Sequence, residues 1–128
     1  MQRATWILAT ALISLAACQG ATSPGGGGGG GGGLVGHVTV GNNFFRSDHN
    51  GSQNPAVDTI AAGSSVTWTW NAAGQHSIQS TGTPGIFRSS VVMSAANSSY
   101  VITLNTPGTY TYDCAVHGAA MSGRIVVQ

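Results

Sequence analysis

The sequence predicts an all-β fold, a two-sheet sandwich, for residues 34–128, and three observations carry that prediction. Short runs rich in β-branched and aromatic residues recur along this stretch, separated by Gly, Asn and Pro turn signals. Within several runs apolar and polar residues alternate, as in a strand that buries one face. No segment keeps a helical hydrophobic period for long.

The expected strands, in order, are Val35 to Val40, Ala56 to Ile60, Ser65 to Trp70, His76 to Gln79, Tyr100 to Leu104, Thr109 to Asp113 and Arg124 to Val127. Turns are expected at Asn42-Asn43, Ala62-Gly63, Pro84-Gly85, Pro107-Gly108 and Ser122-Gly123. In the third run Val66, Trp68 and Trp70 share one face while Thr67 and Thr69 take the other. Tyr100, Ile102 and Leu104 repeat the pattern. Tyr110, Tyr112 and Cys114 do so again, which puts a cysteine at a strand end beside two aromatic core candidates. So many strands in so short a stretch close into a sandwich more readily than into an open sheet. The segment Thr81 to Ser99 reads as a long crossing loop with a turn of helix.

The front of the chain is different in kind. Arg3 precedes an apolar run from Ala4 to Ala17, too short for a convincing membrane span, and residues 1–17 read as a secretory signal. Leu15-Ala16-Ala17-Cys18 resembles the bacterial lipobox, which implies cleavage before Cys18 and lipidation of that cysteine. An ordinary secretory signal cut nearby is the alternative; export follows from both. Residues 18–33 have no hydrophobic period and end in nine consecutive glycines, Gly25 to Gly33, a flexible tether. Its typical end-to-end distance would be about 20 Å. The expected organisation is thus signal peptide, lipidated Cys18 with linker, and one domain at 34–128.

Composition excludes some partners. Among 128 residues there are three acids, four arginines and no lysine, for a net charge of +1. That balance gives no basic footprint for nucleic acid and little long-range steering of any partner.

The chemistry is concentrated near the C-terminal end. With Cys18 set aside as a lipid anchor, Cys114 has no disulfide partner within the chain, and an unpaired cysteine in an exported protein needs a reason. A lone core cysteine would simply be a small hydrophobe. Here Cys114-Ala115-Val116-His117-Gly118-Ala119-Ala120-Met121 sets a thiolate, an imidazole and a thioether at spacings of three and four with only small residues or valine between. A tight loop can fold those donors around one point. His76, after the Trp68 to Trp70 run, is the expected fourth. Two imidazoles, one thiolate and a weak axial thioether suit copper cycling between its two common oxidation states, whereas zinc more often takes harder or thiolate-richer sets.

With these residues in view, the stretch 34–128 resembles the plastocyanin-type cupredoxins. The resemblance rests on Val38 to Phe45, on Ala62-Gly63 before Val66-Thr67-Trp68, on His76, and on Tyr110 to Cys114 running into His117, Met121 and Gly123. It implies a Greek-key β-sandwich with one type 1 copper at one end, held by His76, Cys114, His117 and Met121, and electron transfer without catalysis. It also implies transient redox-protein partners. A monomer is expected, tethered by lipid in the bacterial cell envelope. Three departures stand out. The spacing between His117 and Met121 is one residue shorter than in plastocyanins and one longer than in amicyanins. Val116 replaces the usual proline, so its amide could donate to the Cys114 sulfur. Ser77 replaces the family's common asparagine, which leaves open how that position ties the ligand segments together.

Other candidates read as structural. His37 alternates with Val38 and Val40 and should face solvent, and His49 sits in the polar Ser47 to Gln53 loop. Met93, beside Val91 and Val92, reads as core filler and as the fallback axial donor. Asp113 should face away from Cys114 and has no acid/base partner at useful spacing. Trp68 and Trp70 read as core. Against the electron carrier stand an envelope carrier that delivers copper to other proteins and a metal-free structural domain, the latter opposed by the intact ligand set. Such a carrier often uses exposed Met or His clusters, which this chain lacks.

Overall fold

A computed structural model describes residues 35–82 and 86–128, and all statements below concern these. The signal peptide, Cys18, the glycine linker and the expected turn at Pro84-Gly85 lie outside them.

Eight strands form the domain: β1 (Gly36–Gly41), β2 (Phe44–Ser47), β3 (Ala56–Ile60), β4 (Ser64–Trp70), β5 (Gln79–Ser80), β6 (Ser99–Leu104), β7 (Gly108–Cys114) and β8 (Gly118–Val127). They make two four-stranded sheets, ordered β2-β1-β4-β6 and β3-β8-β7-β5. Both sheets are mixed, because β1 pairs parallel with β4 and β3 parallel with β8, while the other pairs are antiparallel. The expected all-β sandwich is what forms.

The alternation in sequence becomes the core directly. Val66, Trp68 and Trp70 of β4 are all fully buried, facing Tyr110, Tyr112 and Cys114 of β7 across the sandwich. Val38, Val40, Phe45, Ile60, Ile78, Ile125 and Val127 complete the interior. At about 25 cal/mol per Å² of apolar surface, the large side chains here dominate the stability of so small a domain.

Four expectations change. Phe44 to Ser47 form a strand that the sequence reading left out, paired with β1 across a two-residue turn in which Asn43 takes a left-handed φ of 63°. The run expected at His76 to Gln79 supplies only β5; His76 itself makes an isolated bridge to Met93. Ser122-Gly123 is no turn, since β8 starts at Gly118 and runs through it. A Cβ on Gly123 would lie 2.3 Å from the Tyr112 hydroxyl, so this glycine makes room for a ring rather than for a bend. Between Ile86 and Ser98 the described residues contain no helix; a bridge at Met93 and a turn near Asn97 hold this crossing segment.

Candidate metal centre

The end of β7 and the start of β8 build one half of the site. Regular pairing of these strands ends at Asp113–Ser122, where a register shift lets Cys114 pair with Gly118. The intervening turn is closed by the His117 amide donating to the Cys114 carbonyl at 3.1 Å, and Gly118 leaves it with a left-handed φ of 59°. This tight turn brings His117 back over the cysteine. Met121, three residues into β8 from Gly118, is fully buried.

His76 supplies the other half, from the loop after β4. Its main chain is fixed on both sides by Met93: the His76 amide donates to the Met93 carbonyl at 3.0 Å, and the Met93 amide donates back at 2.8 Å. Met93 packs against the core at the same time, so it anchors His76 through its backbone and serves as the core filler expected of it. The two halves meet through Ser77. Its buried hydroxyl oxygen accepts the Ala115 amide at 3.0 Å. Sequence reasoning marked this position without assigning it; the signal was a small hydroxyl next to a candidate ligand.

One sulfur and two imidazole nitrogens converge as a result. A metal-ligating atom from each of His76, Cys114 and His117 lies within 4.8 Å of the others. The Cys114 Sγ is 3.9 Å from His76 Nδ1 and 3.4 Å from His117 Nδ1. The imidazoles lie 4.9 Å apart between centroids, tilted by 36°. Cys114 is a buried free thiol. Burial, with a smaller contribution from the His117 charge, pushes the His76 pKa down, which favours the neutral imidazole that metal binding requires. Its other nitrogen, Nε2, is buried with no hydrogen-bond partner among the described residues. Gly74 leaves room beside that nitrogen, where a Cβ would sit 2.8 Å away. A borderline-soft donor set with both Nδ1 atoms aimed at one thiol fits copper, and its enclosure excludes a loosely hydrated hard cation.

The remaining candidates lie elsewhere. His37 is exposed, as expected. His49 is more than a surface residue: its Nδ1 is 2.8 Å from Oδ1 of the buried Asp58, which also accepts the Ser47 hydroxyl at 2.8 Å. Neither histidine belongs to the donor cluster. The Val116 amide does not reach the Cys114 sulfur, whose polar contacts among the described residues are the two imidazoles.

A sandwich of this topology with a His-Cys-His cluster at one end defines a cupredoxin. The profile of copper-binding proteins of the plastocyanin/azurin family matches residues 52–128, and the chain belongs to that family. Amicyanin-alpha of Methylorubrum extorquens is 39% identical over 77 residues, covering 59% of this chain and 63% of that protein. Chloroplastic plastocyanin of Tetradesmus obliquus is 38% identical over 82 residues, covering 58% of this chain and 57% of that one. The chain thus spans about three fifths of the length of these curated relatives. Among solved structures, a purple cupredoxin from Nitrosopumilus maritimus superposes with a TM-score of 0.56 at 22% identity, over 72% of this chain and 98% of that one. An amicyanin variant in its Cu(I) form gives 0.57 at 22%, over 73% and 82%. At that identity the likeness concerns the fold.

Proposed function

We propose that the domain is a one-electron carrier with a single type 1 copper held by His76, Cys114, His117 and Met121. The observation that carries this reading is the meeting of a buried, unpaired thiol with two imidazole Nδ1 atoms inside 4.8 Å. Copper in such a set supplies reversible one-electron exchange. The protein's part is to keep the donors fixed. Cys114 is held by the β7–β8 register, His76 by Met93, and the two segments by Ser77, so little rearrangement accompanies a change of charge at the centre. His117 is the ligand side chain with the most exposure, and its neighbours Ala115, Val116, Ala119 and Ala120 are all exposed, which favours a transient apolar contact with a redox partner at this end.

The enclosure of Cys114 and Met121, both fully buried, argues against an exchangeable copper cargo. The lipobox-like Leu15 to Cys18 and the glycine run support a location tethered to a bacterial envelope membrane. Visible and EPR spectra of the Cu(II) protein test the site: an intense thiolate-to-copper band with narrow copper hyperfine splitting is expected, and Cys114→Ser should bleach it. Retained colour in the serine variant would refute the assignment. Fractionation of the full-length protein, wild type against Cys18→Ser, tests the anchor separately.

A further inference from the structure

The core contains one continuous line of oxidisable rings, and it crosses the sandwich. Tyr112 stands two residues before Cys114 on β7, on the same face. Its ring meets Trp68 of β4 edge-on, with centroids 5.2 Å apart. Trp68 in turn lies 5.9 Å from Tyr100 of β6. Tyr100 reaches the surface, where its hydroxyl donates to the Arg88 carbonyl and the Arg88 guanidinium lies over its ring at 5.7 Å. The other aromatic neighbours of this line, Phe45 and Phe87, are far harder to oxidise. Of the three tyrosines, Tyr110 and Tyr112 are buried and Tyr100 alone is partly exposed.

We infer that Tyr100, Trp68 and Tyr112 form a relay through which a strong outer-sphere one-electron oxidant at the Tyr100 surface draws its electron from the reduced metal centre. This rests on the electron-carrier reading above and adds a second port, on the opposite sheet from Cys114. Electron transfer falls off steeply with distance, so dividing the crossing into ring-to-ring steps favours it over a single passage.

The three rings divide the work by their surroundings. At the surface, the oxidant takes one electron from Tyr100, whose phenolic proton passes to water; the Arg88 charge over the ring disfavours a cationic radical and so favours that proton loss. Trp68 then returns one electron to Tyr100, which recovers its proton from water. Trp68 is fully buried and its Nε1 meets no acceptor among the described residues, so it has nowhere to lose a proton, and burial makes its radical cation too costly to persist; it carries the charge only in passing. The Tyr112 ring is buried and its hydroxyl has no acceptor among the described residues, so Tyr112 has nowhere to pass a proton and serves as a bridge to the strand of Cys114. An electron arriving along that strand refills Trp68. The net change is one electron lost by the reduced centre and one gained by the oxidant.

Flash photolysis with photogenerated Ru(III) trisbipyridine tests this on the full chain. The phenoxyl radical absorbance is followed in metal-free and in Cu(I)-loaded protein. Tyr100→Phe should abolish most of the phenoxyl signal. In wild type the signal should decay several-fold faster with Cu(I) bound than without metal, and Trp68→Phe should remove that difference while the Cu(II) spectrum stays as in wild type. Equal decay in metal-free and Cu(I) wild type would overturn the relay even if Trp68→Phe fails to fold. So would a Trp68→Phe protein that still decays as fast as wild type. Absence of a reversible one-electron wave in voltammetry of the wild-type copper protein would instead refute the electron-carrier reading on which the relay rests.

Discussion

The Ser77 hydroxyl accepts the Ala115 main-chain amide at 3.0 Å, so the segment that carries His76 is fastened directly to the turn that carries Cys114 and His117. The two segments are far apart in sequence and belong to different loops. Ser77 is 2% exposed while Ala115 lies at the surface, so the bond is partly shielded from water on its serine side. The pairing of β5 with β7, Gln79 opposite Asp113, supports the same joint a few residues on.

Ser77→Ala should loosen this joint in a measurable way. The Ala115 amide loses its acceptor, at a cost of about 1 kcal/mol for a bond that water can partly replace. Denaturant titration of the metal-free protein reads that loss. Copper should also leave the variant faster, because the donor cluster is no longer held by both of its segments. Unchanged copper release alongside a lowered midpoint would confine Ser77 to a stabilising role.

Gly74 leaves space for the other side of the His76 ring. A Cβ at this position would stand 2.8 Å from Nε2 of a ring that is itself buried, so the imidazole must rotate or shift. Gly74→Ala is expected to weaken Cu(II) binding and to alter the EPR hyperfine pattern, while the all-β circular dichroism signal persists. A variant with the wild-type copper spectrum would show that the loop yields instead.

Much of this was legible in the amino-acid order, for identifiable reasons. Val66-Trp68-Trp70 and Tyr110-Tyr112-Cys114 alternate because each strand buries one face, and the same alternation placed Cys114 at the sandwich end. The short spacing of Cys114 and His117 closes as a turn, with Met121 beyond it on β8. What the order hid depends on contacts distant in sequence. Gly123 looks like a turn residue until the Tyr112 ring is laid over it. His49 looks like a surface histidine until Asp58 is found buried beside it. Strand β2 is short, with Phe44 and Phe45 adjacent instead of alternating with polar residues, so it carried little periodic signal. The lack of a proline at 116 leaves an amide that could have met the sulfur, but the bond that closes the turn runs from His117 to the Cys114 carbonyl.

Tyr112 gives a pH dependence with a definite sign. Burial raises its pKa well above the ordinary value of 10.0, against a lowering contribution from Trp68 beside it and with a smaller push from the Asp58 charge. The unfolded chain therefore loses the Tyr112 proton first as pH climbs, and the folded state binds more protons above pH 10.0. Stability contributed by keeping this phenol neutral is fully present below that value and declines above it. Tyr112→Phe should flatten the fall in stability on the alkaline side, read as urea midpoints across rising pH. An equally steep fall in the phenylalanine variant would place the alkaline sensitivity on another group.

The surface around His117 makes the last prediction. Ala115, Val116, Ala119 and Ala120 are exposed, with Val116 at 47%, and none of them is charged. Two copies can press such surfaces together and part again quickly, because few side chains must be ordered and no charge must be desolvated. Electron self-exchange between Cu(I) and Cu(II) copies measures this contact without any other partner. Ala119→Asp puts a carboxylate on both surfaces of that pair, and like charges facing each other oppose the encounter. The self-exchange rate, read from NMR line broadening, should fall several-fold at low ionic strength and recover as salt screens the repulsion. The copper spectrum should be unchanged, since Ala119 lies outside the donor cluster. A rate indifferent to both the substitution and the salt would mean that electrons pass between copies at another face.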